Sequence, residues 1–234
     1  MHEKSIRIAN RFQGPSGSGN GGYVAGLLAR ELGGSNCVVT LRRRTPLDHD
    51  MRITIEGGEA ALMDGNDLVA SAARAPLVLE VPPPPTMAEA EAASARFSGY
   101  HKHPVPDCFV CGTNTPEGDG LRIFTGPVEG RKMVAAPWIA HPSLGDGAGR
   151  VDIEYLWAGL DCAGFFAIED RVDLAILGRM TARIDERPRV GDTLVVSGWR
   201  IESDGRKHQV GTAIHGEDGR LVAAAQATWI ALQV

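Results

Sequence analysis

The sequence lacks the features that mark several large classes of protein. No apolar run approaches the ~20 residues that a membrane-spanning helix needs, and residues 1–11 contain no apolar core of the signal-peptide type. Four cysteines in 234 residues are too few for a disulfide-stapled scaffold. These absences predict a globular protein of the reducing cytoplasm.

Positive charge and aromatic side chains are also scarce. Lys and Arg total 24 against 29 Asp and Glu, and aromatic residues make up 6% of the chain. Without an excess of positive charge to neutralise phosphates, nucleic acid is not expected as a partner. The 43% of apolar residues is sufficient for a sizeable core in one long domain or two shorter ones.

Four consecutive prolines, residues 82–85, form the clearest boundary, since neither helices nor sheet interiors tolerate them. Thr86 and Glu89 then have the spacing of a capping box, which predicts a helix. We therefore expect an N-terminal unit over 1–82, a Pro-rich linker with a short helix over 83–104, and a C-terminal unit over 105–234.

The same order of elements occurs on both sides of this linker. Apolar spacing predicts a helix over 23–32, ended by Gly33 and Gly34, and a second helix over 161–168. Runs bounded by turn residues predict strands over 37–41, 52–55, 60–63 and 68–81, then over 121–125, 132–138, 175–184, 193–202, 207–215 and 221–232. A repeated order predicts two similar units packed together.

Three stretches carry a resemblance to a known family. They are Asn20-Gly21-Gly22 at the start of the first helix, Asp218-Gly219-Arg220-Leu221-Val222-Ala223 before the last strand, and Cys108-Phe109-Val110-Cys111-Gly112 with Gly120-Leu121-Arg122-Ile123. Together with the curved strands, they resemble the hotdog-fold thioesterase superfamily. With two units in one chain, the arrangement is similar to the tandem, double-hotdog acyl-CoA thioesterases.

The resemblance implies an α+β fold, a tandem double hotdog with two antiparallel sheets, each wrapped around a central helix and packed as a pseudo-dimer. It also implies hydrolysis of an acyl-CoA or related acyl thioester where the units meet. Hydrolysis needs only water and a polarised carbonyl, so no cofactor is expected. The chain could be a monomer or a homodimer, and fold alone does not decide the chemistry.

The glycine-rich stretch over 14–23 is the first candidate site. Amides at a helix N-terminus can stabilise the oxyanion of thioester cleavage, and glycine lets a substrate approach the backbone closely. We expect substrate contacts at Gly21, Gly22 and Tyr23, and a catalytic role for Asn20. The alternative is a flexible loop in which Asn20 is an ordinary helix cap.

Asp161 begins the predicted second helix and is the second candidate. It could activate water or attack the thioester, as family carboxylates do, or it could merely cap the helix. Cys162 and Gly164 are expected to line the same site. Because no histidine is near Cys162 in sequence, we expect a small buried side chain there rather than a nucleophile.

Gln226 lies on the final predicted strand among apolar neighbours. In double-hotdog acyl-CoA thioesterases a glutamine on the corresponding strand holds the attacking water, so the resemblance implies that role for Gln226. Those enzymes also use an aspartate on the strand after the second helix. Here that place falls near Met180 and Thr181, where the sequence has no aspartate, so the chain departs from the family's triad at this position.

Three further clusters have more than one interpretation. Cys108 and Cys111, with His101 and His103, could bind zinc, act as a redox pair or form a structural turn, and no metal ligand is assigned among them. The arginines at 42–44 could hold phosphates of coenzyme A or be a solvated strand edge. The residues at 48–50, Asp-His-Asp, could be a base with its partner or a polar turn.

Other functions for the same chain remain open. A non-catalytic acyl-CoA or small-ligand binding protein is the main alternative to hydrolysis. A hotdog hydratase would need a His/Asp pair that no helix start carries, and a zinc-stabilised interaction module is a further alternative. The length of the acyl group and the identity of its carrier do not follow from the sequence.

Overall fold

The structure, a computed structural model, describes residues 2–15 and 17–232; Ser16, in the glycine-rich stretch, lies outside the described residues. Its helices are α1 (Gly21–Arg30), α2 (Met87–Ser94), α3 (Ile153–Gly159) and α4 (Cys162–Phe166). Its strands are β1 (His2–Arg7), β2 (Cys37–Leu41), β3 (Asp50–Glu56), β4 (Glu59–Asp64), β5 (Asp67–Arg74), β6 (Gly126–Pro127), β7 (Val134–Ile139), β8 (Ala175–Ile184), β9 (Thr193–Asp204), β10 (Lys207–Gly216) and β11 (Leu221–Ala231).

All of these strands belong to one antiparallel sheet, in the order β1-β3-β4-β5-β2-β8-β11-β10-β9-β7-β6. The order is mirrored about the central pair, β2 and β8, which meet with Val39 opposite Met180. The expected two sheets are therefore a single sheet: the edge strands of the two halves pair with each other. This pairing satisfies backbone groups that separate edges would leave exposed.

Helix α1 lies in the core because its residues from Gly22 to Ala29 are buried. It packs against α3 with almost no space between the two backbones. A Cβ on Gly22 would lie 2.6 Å from Trp157 O, and one on Gly26 would lie 2.5 Å from Glu154 Cα. Two glycines one turn apart thus allow the central helices of the two halves to touch.

The linker contains the expected helix. The Thr86 side chain caps α2, and Glu89 completes the capping box. Ala90 and Ala93 are buried and belong to a small apolar cluster with Val128, Met133, Ala135 and Val195. The linker helix therefore packs on the C-terminal half of the sheet.

Several elements differ from the sequence-based predictions, and one of them is β1, where no strand is predicted. Strand β5 ends at Arg74 because Pro76, two residues on, cannot donate to the ladder. Residues 121–125 form no strand: Leu121 N–H and Ile123 N–H bond to Phe109 O and Val110 O, and the opening hairpin is formed by β6 and β7. The predicted second helix is α4, preceded by the unpredicted α3.

None of the helices in the described part of the chain is long and apolar enough to cross a membrane.

Candidate active site

Asn20 and Asp161 meet at the N-terminus of α1. Asn20 Oδ1 accepts from Tyr23 N–H at 2.9 Å, which caps the helix, while Asn20 Nδ2 donates to Asp161 Oδ2 at 2.8 Å. Gly22 N–H donates to the same carboxylate oxygen at 3.0 Å. The helix start therefore holds a carboxylate that comes from the other half of the chain.

Asp161 is the most perturbed carboxyl group of this site. It is 2% exposed, and burial raises its pKa to about 7 against the opposing effects of Gly22 N–H and Asn20. Its side chain makes no hydrogen bond to its own helix, α4, so it is not the cap that was the alternative interpretation. Within residues 2–15 and 17–232, Oδ1 has no hydrogen-bond partner.

The first three amides of α1 differ in whether they have a hydrogen-bond partner. Those of Gly22 and Tyr23 donate to Asp161 and Asn20. Among the described residues, Gly21 N–H takes part in no hydrogen bond, and Gly21 lines the cavity next to this helix start. Gly21 is therefore the amide available to a ligand oxygen.

A cavity of about 340 Å³ runs past this helix start, between the two halves of the chain. Its wall contains the buried polar residues Ser18, Asn20, Thr45 and Asp161 and the buried cysteines Cys108, Cys111 and Cys162. Apolar residues in the wall include Leu41, Phe165, Phe166, Leu174, Leu177, Trp229 and Ile230. Pockets that bind small molecules commonly have this size and this mixture of an apolar wall with a few polar groups.

The arginines at 42–44 also line the cavity, and all three are exposed, so they lie where it opens to solvent. Arg43 pairs with Asp67 at 2.6 Å. No such ion pair involves Arg42 or Arg44 among the described residues. The segment that follows β2 thus places guanidinium groups beside the opening through which a ligand would enter the cavity.

Three cysteines meet in the cavity wall. The sulfur atoms of Cys108, Cys111 and Cys162 all lie within 4.8 Å of one another, and those of Cys108 and Cys162 are 3.6 Å apart. Hydrogen bonds, chiefly from the Cys111 and Cys162 side chains, hold the pKa of the Cys108 thiol well below its ordinary value. The same coupling raises the pKa of Cys111 and of Cys162.

The two histidines considered with Cys108 and Cys111 do not join this cluster. His103 Nε2 lies 2.9 Å from Cys111 O, and its Nδ1 accepts from Val105 N–H at 2.9 Å, so both ring nitrogens are engaged. His101 is exposed. Because Cys162 is far from Cys108 and Cys111 in sequence, the sequence alone does not indicate that it belongs to the same cluster.

Other predicted site residues lie elsewhere. Gln226 faces away from the buried Ala225 and Ala227 and lines a separate shallow groove under residues 78–82, so the structure does not bring it to Asp161. Gly164 packs α4 against the sheet: its Cβ would lie 2.6 Å from Trp229 Nε1.

Tyr23 and the polar turn at 48–50 also lie outside the cavity wall. The Tyr23 ring stacks on Phe12, with centroids 4.0 Å apart, so only its amide belongs to the helix start. His49 pairs with Asp64 at 2.9 Å and Asp50 with Arg7 at 2.8 Å, both on the surface. These ion pairs are the solvated turn of the alternative interpretation.

Solved structures with this arrangement of strands and helices cover almost the whole chain. A candidate thioesterase from Novosphingobium aromaticivorans is 14% identical, with a TM-score of 0.64 over 99% of this chain and 96% of its own. The TesB protein of Mycobacterium avium subsp. paratuberculosis is 12% identical, with a TM-score of 0.62 over 99% of this chain and 93% of its own. The chain has a hotdog fold.

A candidate thioesterase II from Thermobifida fusca is also similar: it is 14% identical, with a TM-score of 0.65 over 99% of this chain and 92% of its own. No protein-family model matches the sequence, and the comparison with curated proteins finds no match. The similarity to these solved structures confirms the hotdog fold that the sequence resemblance implies. Sequence identities this low do not show that the reaction is shared.

Proposed function

We propose that this hotdog protein, built from two units over 1–82 and 105–234 joined by the linker, hydrolyses an acyl-CoA or related acyl thioester in the cavity between its halves. One observation supports this above all: a buried carboxylate, Asp161, is fixed by Asn20 and Gly22 in the wall of the cavity, and its Oδ1 has no hydrogen-bond partner among the residues that the structure describes. A buried carboxylate with a free oxygen is suited to take a proton from water.

In the proposed reaction, Gly21 N–H donates to the thioester oxygen, where negative charge develops. Asp161 takes a proton from water as the water oxygen bonds to the carbonyl carbon. The C=O bond then re-forms, the C–S bond breaks, and the departing sulfur receives the proton from Asp161. The products are a carboxylic acid and a free thiol, and Asp161 is regenerated as a carboxylate.

The two parts of an acyl-CoA match different parts of the cavity. Phosphate groups are suited to the exposed guanidinium groups of Arg42 and Arg44. The acyl group is suited to the apolar wall formed by Phe165, Leu177 and Trp229. This distribution supports coenzyme A as the carrier over a small neutral thiol.

The test is hydrolysis of acyl-CoAs of increasing chain length, followed by chromatographic detection of free coenzyme A. Asp161→Asn keeps an acceptor for Gly22 N–H and Asn20, so the variant should fold; turnover should drop by ~10²–10⁴-fold. Asp204→Asn, at an exposed turn, is the matched control and should retain full turnover. Equal rates in Asp161→Asn and wild type would refute the assignment of Asp161.

A non-catalytic acyl-CoA binding protein is the second candidate. It is favoured by the hydrogen bond from Gly22 N–H to Asp161, because within the described part of the chain this leaves a single amide without a partner, that of Gly21, to bind a substrate oxygen. Absence of turnover with every chain length, together with an increase in Tm on addition of one acyl-CoA, would establish this alternative.

A further inference from the structure

The cysteine cluster joins two separate parts of the fold. Cys108 and Cys111 belong to the irregular segment before β6, and Cys162 begins α4. All three side chains are buried, being 3%, 4% and 6% exposed, and all three line the cavity. Three thiol groups in one buried patch, beside a carboxylate, are an unusual content for an apolar core.

The sulfur positions match those of a metal-thiolate site. Zn–S bonds of about 2.3 Å at tetrahedral angles place sulfur atoms ~3.8 Å apart. The Cys108 and Cys162 sulfurs are 3.6 Å apart, and all three fit within 4.8 Å, so small side-chain adjustments suffice to bring them around one ion.

The backbone around Cys108 forms a tight turn that brings the Cys108 and Cys111 side chains to the same place. Gly112 N–H donates to Cys108 O at 2.8 Å, which closes a tight turn over the Cys-x-x-Cys pair. A Cβ on Gly112 would lie 2.6 Å from Cys108 N, so the turn requires glycine. Asn20 Nδ2 lies 3.8 Å from Cys108 Sγ and can donate to it, as polar groups around metal-bound thiolates do.

We propose that Cys108, Cys111 and Cys162 bind a thiophilic divalent cation of the zinc type, with the fourth coordination position open to the cavity. Three soft sulfur ligands select such an ion over magnesium or calcium. Three protein ligands and one position for an exchangeable ligand are typical of accessible zinc sites. The ion would also link the segment before β6 to α4.

The test measures the zinc content of the full chain purified under reducing conditions without chelator, and then absorption after Co²⁺ reconstitution. Wild type should retain zinc stoichiometrically and show thiolate-to-cobalt charge transfer. Loss of a residue that only hydrogen-bonds to a metal ligand lowers metal affinity by ~10–100-fold. Because Cys162→Ser removes a ligand itself, its loss of zinc affinity should be larger. Cys37→Ser is the matched control, because Cys37 is buried in β2 away from the cluster, and it should bind zinc like wild type.

Two results would overturn the proposal. One is zinc retention by wild type no greater than that of Cys162→Ser; the other is a cobalt spectrum without thiolate charge transfer. Because the wild-type spectrum needs no variant, misfolding of Cys162→Ser cannot obscure the answer. Metal binding without thioester hydrolysis would support this site while refuting the proposed function, so the two proposals fail separately.

Discussion

Asn20 contacts Asp161 across 141 residues of sequence, through a 2.8 Å hydrogen bond between two buried side chains. The other end of the same amide caps α1 through Tyr23 N–H. One side chain thus fixes both the start of the central helix and the orientation of the carboxylate from the opposite half. Its two roles can be separated because only the amide nitrogen reaches Asp161.

Asn20→Ser should separate the cap from the carboxylate. A serine oxygen can still accept from Tyr23 N–H, but it is too short to reach Asp161. We expect little change in the free energy of unfolding and a clear fall in kcat for thioester hydrolysis. Asn20→Ala should lose both roles and cost about 1 kcal/mol of stability. Denaturant unfolding and steady-state kinetics measure the two effects; equal stability of both variants would contradict the cap.

Gly26 of α1, which faces α3, and Gly159 of α3, which faces the sheet, should respond differently to alanine because the space beside them differs. Gly26→Ala would bring a Cβ within 2.5 Å of Glu154 Cα, so despite alanine's better helix propensity we expect a loss of about 1–3 kcal/mol. Gly159→Ala meets its nearest atom at 3.3 Å, the tip of Ile214, and is the matched control. Similar unfolding midpoints in the two variants would refute backbone-to-backbone packing.

The guanidinium groups at the cavity opening should contribute to recognition of the carrier. Arg42→Gln and Arg44→Gln are expected to raise KM for acyl-CoAs several-fold without lowering kcat, because they remove charge-assisted bonds to phosphate. A thioester of N-acetylcysteamine, which lacks phosphate, should be hydrolysed at an unchanged rate. Arg206→Gln, in the exposed β9–β10 turn, is the control. Equal effects on both substrates would exclude a phosphate contact.

His215 should make stability depend on pH. It is 3% exposed on β10, between Val195 and Leu221, and burial alone lowers its pKa. Below about pH 6.5 the unfolded chain binds a proton that the folded chain does not, so this contribution to stability falls as pH falls. Unfolding free energies at pH 8 and pH 5.5 should therefore differ more for wild type than for His215→Gln. Parallel changes would contradict the prediction.

Local patterns predicted most of the sheet. Strand β2 and the helix α2 with its Thr86 capping box lie where the sequence places them, since alternation, turns and caps are local signals. Strand β8 also matches its predicted bounds. The predictions are wrong where a neighbour supplies the decisive contact: residues 121–125 alternate like a strand but bond to Phe109 and Val110, and Arg122 adopts a positive φ of 55°.

The site could be predicted only in part. Helix-start signals and the resemblance predict Asn20, Gly21 and Asp161 one by one as candidate site residues, yet nothing local indicates that Asn20 and Asp161 share a hydrogen bond. The cysteine cluster was half visible as Cys-x-x-Cys, and its third member depends on how the two halves pack. Gln226 was carried over from the resemblance, but the strand alternation turns it to the other face.

The mirrored order of the sheet gives the chain two comparable helix starts, and the side chains around them differ. At the first, α1, the amides meet Asp161 and an open cavity. At the second, α3, Arg187 bonds to Asp152 at 3.1 Å and to Asp146 at 2.8 Å, so a guanidinium paired with two carboxylates lies beside this helix start. Two identical subunits cannot diverge in this way, because every substitution appears in both. Within one polypeptide the two halves are free of that symmetry, so a substitution can change the surroundings of one helix start and leave those of the other as they are.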